Sequence, residues 1–170
     1  MKADELRSLQ APIKDGYRQR PETALVTLRA EGHIGEGITC KVETGKELVE
    51  AGLHPATGGD GLSACSGDML LEALVACAGV TLRAVATALG IEIRDATVRA
   101  EGDLDFRGTL GVSKDVPVGF QQIRLHLHLD TDASEEQLAT LLRLTERYCV
   151  VYQTLSRPPK IDIASRVASR

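Results

Sequence analysis

Residues Ser66 to Gly90 read S-G-D-M-L-L-E-A-L-V-A-C-A-G-V-T-L-R-A-V-A-T-A-L-G, with Cys77 near the centre. Between Met69 and Leu82 the only charged side chain is Glu72, and alanine and glycine fill much of the rest. A helix of that composition is apolar nearly all round, so it is expected to be buried. Ser66 suits the N-cap, Asp68 puts negative charge in the first turn, and Gly90 supplies the left-handed residue at which such helices stop. Roughly 23 residues at 1.5 Å each make a rod of about 35 Å, long enough to cross a small domain or enter a neighbouring subunit. A membrane span is the competing reading. Arg83 interrupts the run and leaves about 14 usable positions where a span needs about 20, so the span is set aside.

The rest of the composition bounds the function. A chain of 170 residues, 43 % apolar and 26 % charged, has the make-up of one ordinary globular domain with its own core. A net charge of -4 provides no basic field for nucleic acid or acidic lipid, so neither partner is expected. The N-terminal M-K-A-D-E-L-R carries no apolar export segment, which points to a cytoplasmic protein. In that reducing compartment the four cysteines, at 40, 65, 77 and 149, are expected as buried, catalytic or metal-binding thiols rather than a disulfide framework.

Outward from the central helix, residues 2–10 suggest a short helix that Pro12 and Gly16 end, within an N-terminal arm over residues 1–23. The main domain then occupies 24–170. Ala24 to Ala30 alternates as a strand, Gly32, Gly35 and Gly37 form a turn region, and Ile38 to Glu43 returns as the second strand of a hairpin. A third short strand follows near Glu47 to Val49. The glycine-rich stretch 52–67 reads as a permissive loop feeding the helix; without a G-x-x-x-x-G-K-[ST] pattern it is not a phosphate cradle.

Beyond Gly90, Ala96, Val98, Ala100, Leu104 and Phe106 alternate with polar residues, as do Ile123, Leu125, Leu127 and Leu129. Both stretches read as half-exposed antiparallel strands. Ser134 to Gln137 forms a capping box, and Leu138, Leu141, Leu142 and Thr145 keep helical spacing. Val150 to Leu155 is a short continuation, Pro158-Pro159 stops it, and Lys160 to Ala164 is a candidate last strand. The sum is an α+β domain: antiparallel strands packed around a long buried helix.

Few residues are placed to carry chemistry. His126 and His128 share one strand face, yet two imidazoles make half a tetrahedral site, and no metal is expected. The cysteines contain no C-x-x-C pair, against a zinc ribbon. Cys40 and Cys65 fit small buried side chains or bystander thiols. Cys77 is either a helix-packing residue or a nucleophile. It lies about three turns from its own helix N-terminus, beyond reach of that dipole, so a thiolate there calls for a cation from elsewhere.

Three motifs together carry a resemblance: G-G-D-G (58–61), L-L-E-A-L-V-A-C (70–77) and E-R-Y-C-V-V-Y-Q-T-L (146–155). With them the chain resembles a divergent OsmC-like member of the OsmC/Ohr superfamily of osmotically induced and organic-hydroperoxide-resistance proteins, over roughly residues 24–164. The resemblance implies an intertwined homodimer with the active site at its interface, Cys77 as peroxidatic cysteine and Cys149 as resolving cysteine. Ohr proteins pair the thiolate with a hairpin Arg held by a Glu just before the helix. Here the hairpin reads Gly32-His33-Ile34-Gly35 and the helix start Ser66-Gly67-Asp68, which makes Arg29 or His33 the candidate cation and Asp68 the stand-in for the Glu. The function implied is a thiol-dependent peroxidase acting on organic hydroperoxides, with no bound cofactor and an external dithiol as reductant. The alternative is a non-enzymatic dimer that holds a small apolar or lipid-like ligand at its interface. Cys65, twelve positions before Cys77, is the other candidate resolving thiol.

Overall fold

The computed structural model describes residues 2–5, 7, 8, 10, 11, 19, 20, 31–34, 39–43 and 48–167. The described positions between 3 and 11 are helical, where a short helix is expected. The strand expected over 24–30 lies outside the described residues.

Four strands form the first sheet, in the order β1 (Glu31–Ile34), β2 (Thr39–Glu43), β3 (Leu48–Gly52) and β4 (Ala64–Cys65). β1, β2 and β3 are antiparallel, with Gly32 opposite Val42 and Cys40 opposite Ala51, while β4 runs parallel to β3. Gly32 is therefore a strand residue and not part of the turn. Among the described residues β1 pairs with β2 alone, and paired backbone accommodates a glycine. The glycine-rich loop holds more structure than its composition suggests. Pro55–Thr57 is a 3-10 turn capped by the His54 side chain, and β4 leads straight into the helix.

The long helix, α1, spans Ser66–Leu89. Its N-cap is Cys65 rather than Ser66, and no side chain caps it. The polar cap that Ser66 would supply is lost because β4 holds the backbone extended through Cys65. At the other end Gly90 takes φ 70° and its N–H bonds the Ala86 and Thr87 carbonyls, the stop that its position predicts.

Past α1 the chain forms a two-stranded antiparallel sheet, β5 (Asp95–Asp103) and β6 (Gln122–Asp130). Its register sets Ala96 opposite Leu129, Val98 opposite Leu127 and Ala100 opposite Leu125, so the two alternating apolar rows meet on one face. A short helix α2 (Phe106–Thr109) interrupts the connection and takes Phe106 out of the strand. α3 (Glu135–Tyr148) opens with the expected capping box, in which the Ser134 side chain accepts from the Gln137 N–H and the Gln137 side chain accepts from the Ser134 N–H. α4 (Val150–Ser156) follows after a single residue, Cys149.

The core fills the space between α1, the inner face of β5–β6, and α3–α4. Leu82, Val85, Ala86, Ile91, Ile93 and Leu141 make one buried group, and Leu74, Ala78 and Cys149 make another nearer the start of α1. Each fully buried Leu contributes about 1.5–3 kcal/mol. Only one stripe of α1 is buried this way. Ala73, Ala76 and Val80 lie on the opposite side, and Val80 is 73 % exposed, so the single chain does not surround the helix. By length and composition α1 could cross a membrane. In this fold its stripe Leu74, Ala78, Leu82 and Val85 packs into the protein core, and Arg83 donates to the Ile93 carbonyl at 3.1 Å.

The candidate last strand is a correction. Residues 158–167 take no regular secondary structure, and Ile161 and Ile163 stand 82 % and 95 % exposed. An isolated extended segment gains no ladder hydrogen bonds, and among the described residues none pairs with it.

Candidate functional site

Cys77 sits near the middle of α1, and Cys149 fills the joint between α3 and α4. Cys149 ends one helix and begins the other. Its N–H bonds the Thr145 carbonyl at 2.9 Å as C-cap, and its carbonyl accepts from the Gln153 N–H at 2.9 Å as the first bond of the next helix. Its φ of -72° and ψ of 107° break the helical path there, so α4 starts on a new axis. That change of direction carries the first turn of α4 against the middle of α1. Val151, Tyr152 and Leu155 pack around Leu74, Ala78 and Cys77.

The two thiols consequently meet. Both are reduced, and they lie close enough for each to shift the ionisation of the other. Burial is the largest influence on Cys77 and opposes its thiolate. The backbone N–H of Val151, the Cys149 side chain, the N–H of Val150 and the Thr81 hydroxyl outweigh it, so the Cys77 thiol lies below its ordinary value. Burial also leads for Cys149, which is 1 % exposed. There the Cys77 hydrogen bond and charge add to it, against bonds from the Tyr152 and Val151 N–H groups, and the thiol is pushed up. The two shifts are opposite in direction, Cys77 toward the thiolate and Cys149 toward the protonated thiol.

Among the described residues, the shift of Cys77 comes from hydrogen-bond donors rather than from a cation. Cys77 is remote from the start of its own helix, but it lies at the start of another, where the free N–H groups of the first turn of α4 point to the sulfur. Thr81, one turn further along α1, adds a hydroxyl. Sequence reasoning missed both. Thr81 was recoverable, since residues four apart share a helix face. The amides were not, because a backbone donor leaves no residue-type signal.

Arg29 is outside the described residues. His33 is placed in β1 by its backbone, opposite Lys41. Asp68 is exposed in the first turn of α1, nine residues or about 13 Å along the helix from Cys77. Cys65 at the N-cap is about 18 Å from Cys77 by the same rise, against about 7 Å between Cα atoms for a disulfide, so it cannot bridge that thiol within this fold. Cys40 lies in β2. His126 and His128 stack at 6.4 Å on the exposed face of β6, and among the described residues no group of three or more potential ligands is placed to hold a metal.

A groove of about 620 Å³ runs between β6 and α3–α4 and reaches Cys149. Leu74, Leu125, Leu127 and Leu142 give it apolar walls, while Gln122 and Glu146 add polar groups.

The sequence profile of the OsmC-like protein family matches residues 58–164. Among solved structures, the chain is similar to an OsmC-like protein from Mycoplasma pneumoniae, with TM-score 0.66 and 17 % identity over 78 % of this chain and 89 % of that one. It is also similar to an organic hydroperoxide resistance protein OsmC from Legionella pneumophila, with TM-score 0.61 and 20 % identity over 78 % of this chain and 91 % of that one. A third likeness is to the organic hydroperoxide resistance protein OhrB of Bacillus subtilis, with TM-score 0.51 and 21 % identity over 78 % of this chain and 92 % of that one. At these identities the likenesses bear on the fold. No curated protein matches the chain in sequence.

Proposed function

The chain belongs to the OsmC-like family, and from that premise we propose that it is a thiol-dependent peroxidase that reduces organic hydroperoxides. The observation that carries the reading is the Cys77–Cys149 pair, with one thiol shifted toward the thiolate and its neighbour held protonated. The Cys77 thiolate attacks the O–O bond of ROOH, forming Cys77–SOH and releasing RO⁻, which leaves as ROH after taking a proton. Cys149–SH then condenses with the sulfenic acid, giving the Cys77–Cys149 disulfide and one water. An external dithiol reduces the bridge, returning two thiols and leaving as its own disulfide. No bound cofactor is needed at any step.

Two further features support the wider reading. The exposed side of α1, with Leu70, Ala73, Ala76 and Val80, fits a homodimer in which each long helix meets its partner. The groove that reaches Cys149 offers an apolar molecule a place beside the resolving thiol. That same groove favours the second reading, a non-enzymatic dimer that retains a small apolar ligand. Consumption of an organic hydroperoxide in the presence of a dithiol, by wild type, Cys77→Ser and Cys149→Ser, separates the two. Turnover abolished by Cys77→Ser supports the peroxidase. A wild type that consumes no more peroxide than Cys77→Ser leaves the binding dimer.

A further inference from the structure

A helix that continued through Cys149 would direct the Val150 N–H to the Glu146 carbonyl, four residues back. Here it does not. The Cys149 N–H still bonds the Thr145 carbonyl at 2.9 Å, but the ψ of 107° at Cys149 swings the next peptide off the α3 axis. The Val150 N–H becomes one of the donors that act on Cys77. Glu146 thereby loses its helical donor in the last turn of α3, where carbonyls have no intrahelical partner of their own. A side chain takes that place. The Gln153 Nε2 donates to the Glu146 carbonyl at 2.8 Å, while the Gln153 backbone N–H bonds the Cys149 carbonyl at 2.9 Å. One residue of α4 thus holds both the joint and the end of α3.

We propose that Gln153 is a positioning residue for Cys77: by occupying the Glu146 carbonyl, it keeps the Val150 N–H from closing the helical bond to that carbonyl and leaves it to the sulfur. Two arrangements of the joint compete. In one, α3 extends by a further bond and the Val150 N–H is withdrawn from Cys77. In the other, the Gln153 amide satisfies the carbonyl and the N–H is released. Ionisation of Cys77 and the Gln153–Glu146 bond favour the same arrangement, so each strengthens the other.

This inference deepens the peroxidase reading by naming a side chain that poises its thiol, yet the quantity it predicts is thiol ionisation, which needs no peroxide. Around the pair, Tyr152 packs from α4 and Glu146 lines the groove at Cys149, while the facing rows of β5 and β6 are apolar, with Val98, Ala100, Ile123 and Leu125. None of these groups is altered by the substitutions below.

The test follows iodoacetamide alkylation of Cys77 across pH in the reduced full-length protein, resolved by peptide mass mapping. Gln153→Met keeps the length of the side chain and removes its donor. The Cys77 inflection is expected to rise by about half a unit, with the rate at neutral pH falling about threefold. Gln153→Glu, whose carboxylate only accepts, should shift it in the same direction, whereas Thr154→Met, at the next position of α4, should not. Val150→Pro then isolates the cause. Proline suits the first position of a helix and follows an extended residue such as Cys149, and it removes the N–H for which Cys77 and Glu146 compete. In that background Gln153→Met is expected to leave the inflection where Val150→Pro puts it. An inflection unmoved by Gln153→Met alone, or moved equally with and without Val150→Pro, would overturn the proposal. If Val150→Pro does not fold, equal inflections in Gln153→Met and Thr154→Met overturn it instead. A protein that consumes no hydroperoxide but shows these shifts loses the peroxidase reading and keeps the role of Gln153.

Discussion

Cys149 packs against Cys77 from the one position that is at once the end of α3 and the beginning of α4. The first consequence is a pH dependence. Cys77 is held below the ordinary thiol value, so its alkylation rate should rise through an inflection at lower pH than that of an unfolded-chain cysteine. Cys149, pushed the other way, should inflect at higher pH. Cys149→Ala removes a donor to the thiolate, and the Cys77 inflection is expected to move up. Iodoacetamide kinetics across pH, resolved by peptide, measures all three. A Cys77 inflection at or above the unfolded value would contradict the arrangement.

Among the described residues, Thr81 and Cys149 are the side chains whose hydrogen bonding lowers Cys77. Thr81→Val keeps the shape and removes the hydroxyl. The loss of a hydrogen bond to a charged group corresponds to roughly a tenfold fall in the rate of peroxide reaction at neutral pH. Thr81→Ser, which restores the hydroxyl, should recover most of it, and a purely structural role for Thr81 would not shift the pH profile.

Oxidation should be specific. One equivalent of an organic hydroperoxide is expected to yield a peptide pair linked through Cys77 and Cys149. Four unmodified thiols after that treatment would count against the peroxidase reading, and the 18 Å offset along α1 makes a Cys65–Cys77 link incompatible with this fold.

Much of this arrangement was legible beforehand, and for identifiable reasons. α1 announced itself by composition and by Gly90, and β5 and β6 by alternation strict enough to set their inward faces. The capping box fixed where α3 begins. What escaped was contact between elements. That α4 would aim its amides at Cys77 depends on the backbone angles of Cys149, which no pattern of side chains encodes. The alternating residues after Pro159 looked like a strand because their pattern is that of one, but a strand exists only with a neighbour. One chain covers only a stripe of α1, so the burial expected of its other faces belongs with a second copy of the chain.

That uncovered side makes the oligomeric state measurable. Wild type is expected to sediment as a dimer at micromolar concentration. Val80→Asp, at a position 73 % exposed in the single chain, should shift it toward monomer. A folded wild-type monomer at that concentration would refute the dimer.

Stability should be governed by the two buried groups rather than the surface pairs. Leu141→Ala, at a fully buried position, is expected to cost about 2–5 kcal/mol in urea denaturation. Ser134→Ala, which removes one half of the capping box, should cost about 1 kcal/mol. A Leu141→Ala loss no larger than that of Ser134→Ala would mean that α3 does not anchor the core.

The joint at Cys149 has no slack. Between Tyr148 and Val150 there is a single residue and no loop, so any change of length there is transmitted directly into α4. One inserted alanine would turn the following helix by about 100° and advance it by about 1.5 Å. The amides of Val150 and Val151 would then face away from Cys77, with every side chain of the pair still present. Chain length at this one point therefore tunes thiol reactivity as strongly as residue identity does, and relatives that gain or lose a residue between these helices should differ in thiol chemistry even with both cysteines intact.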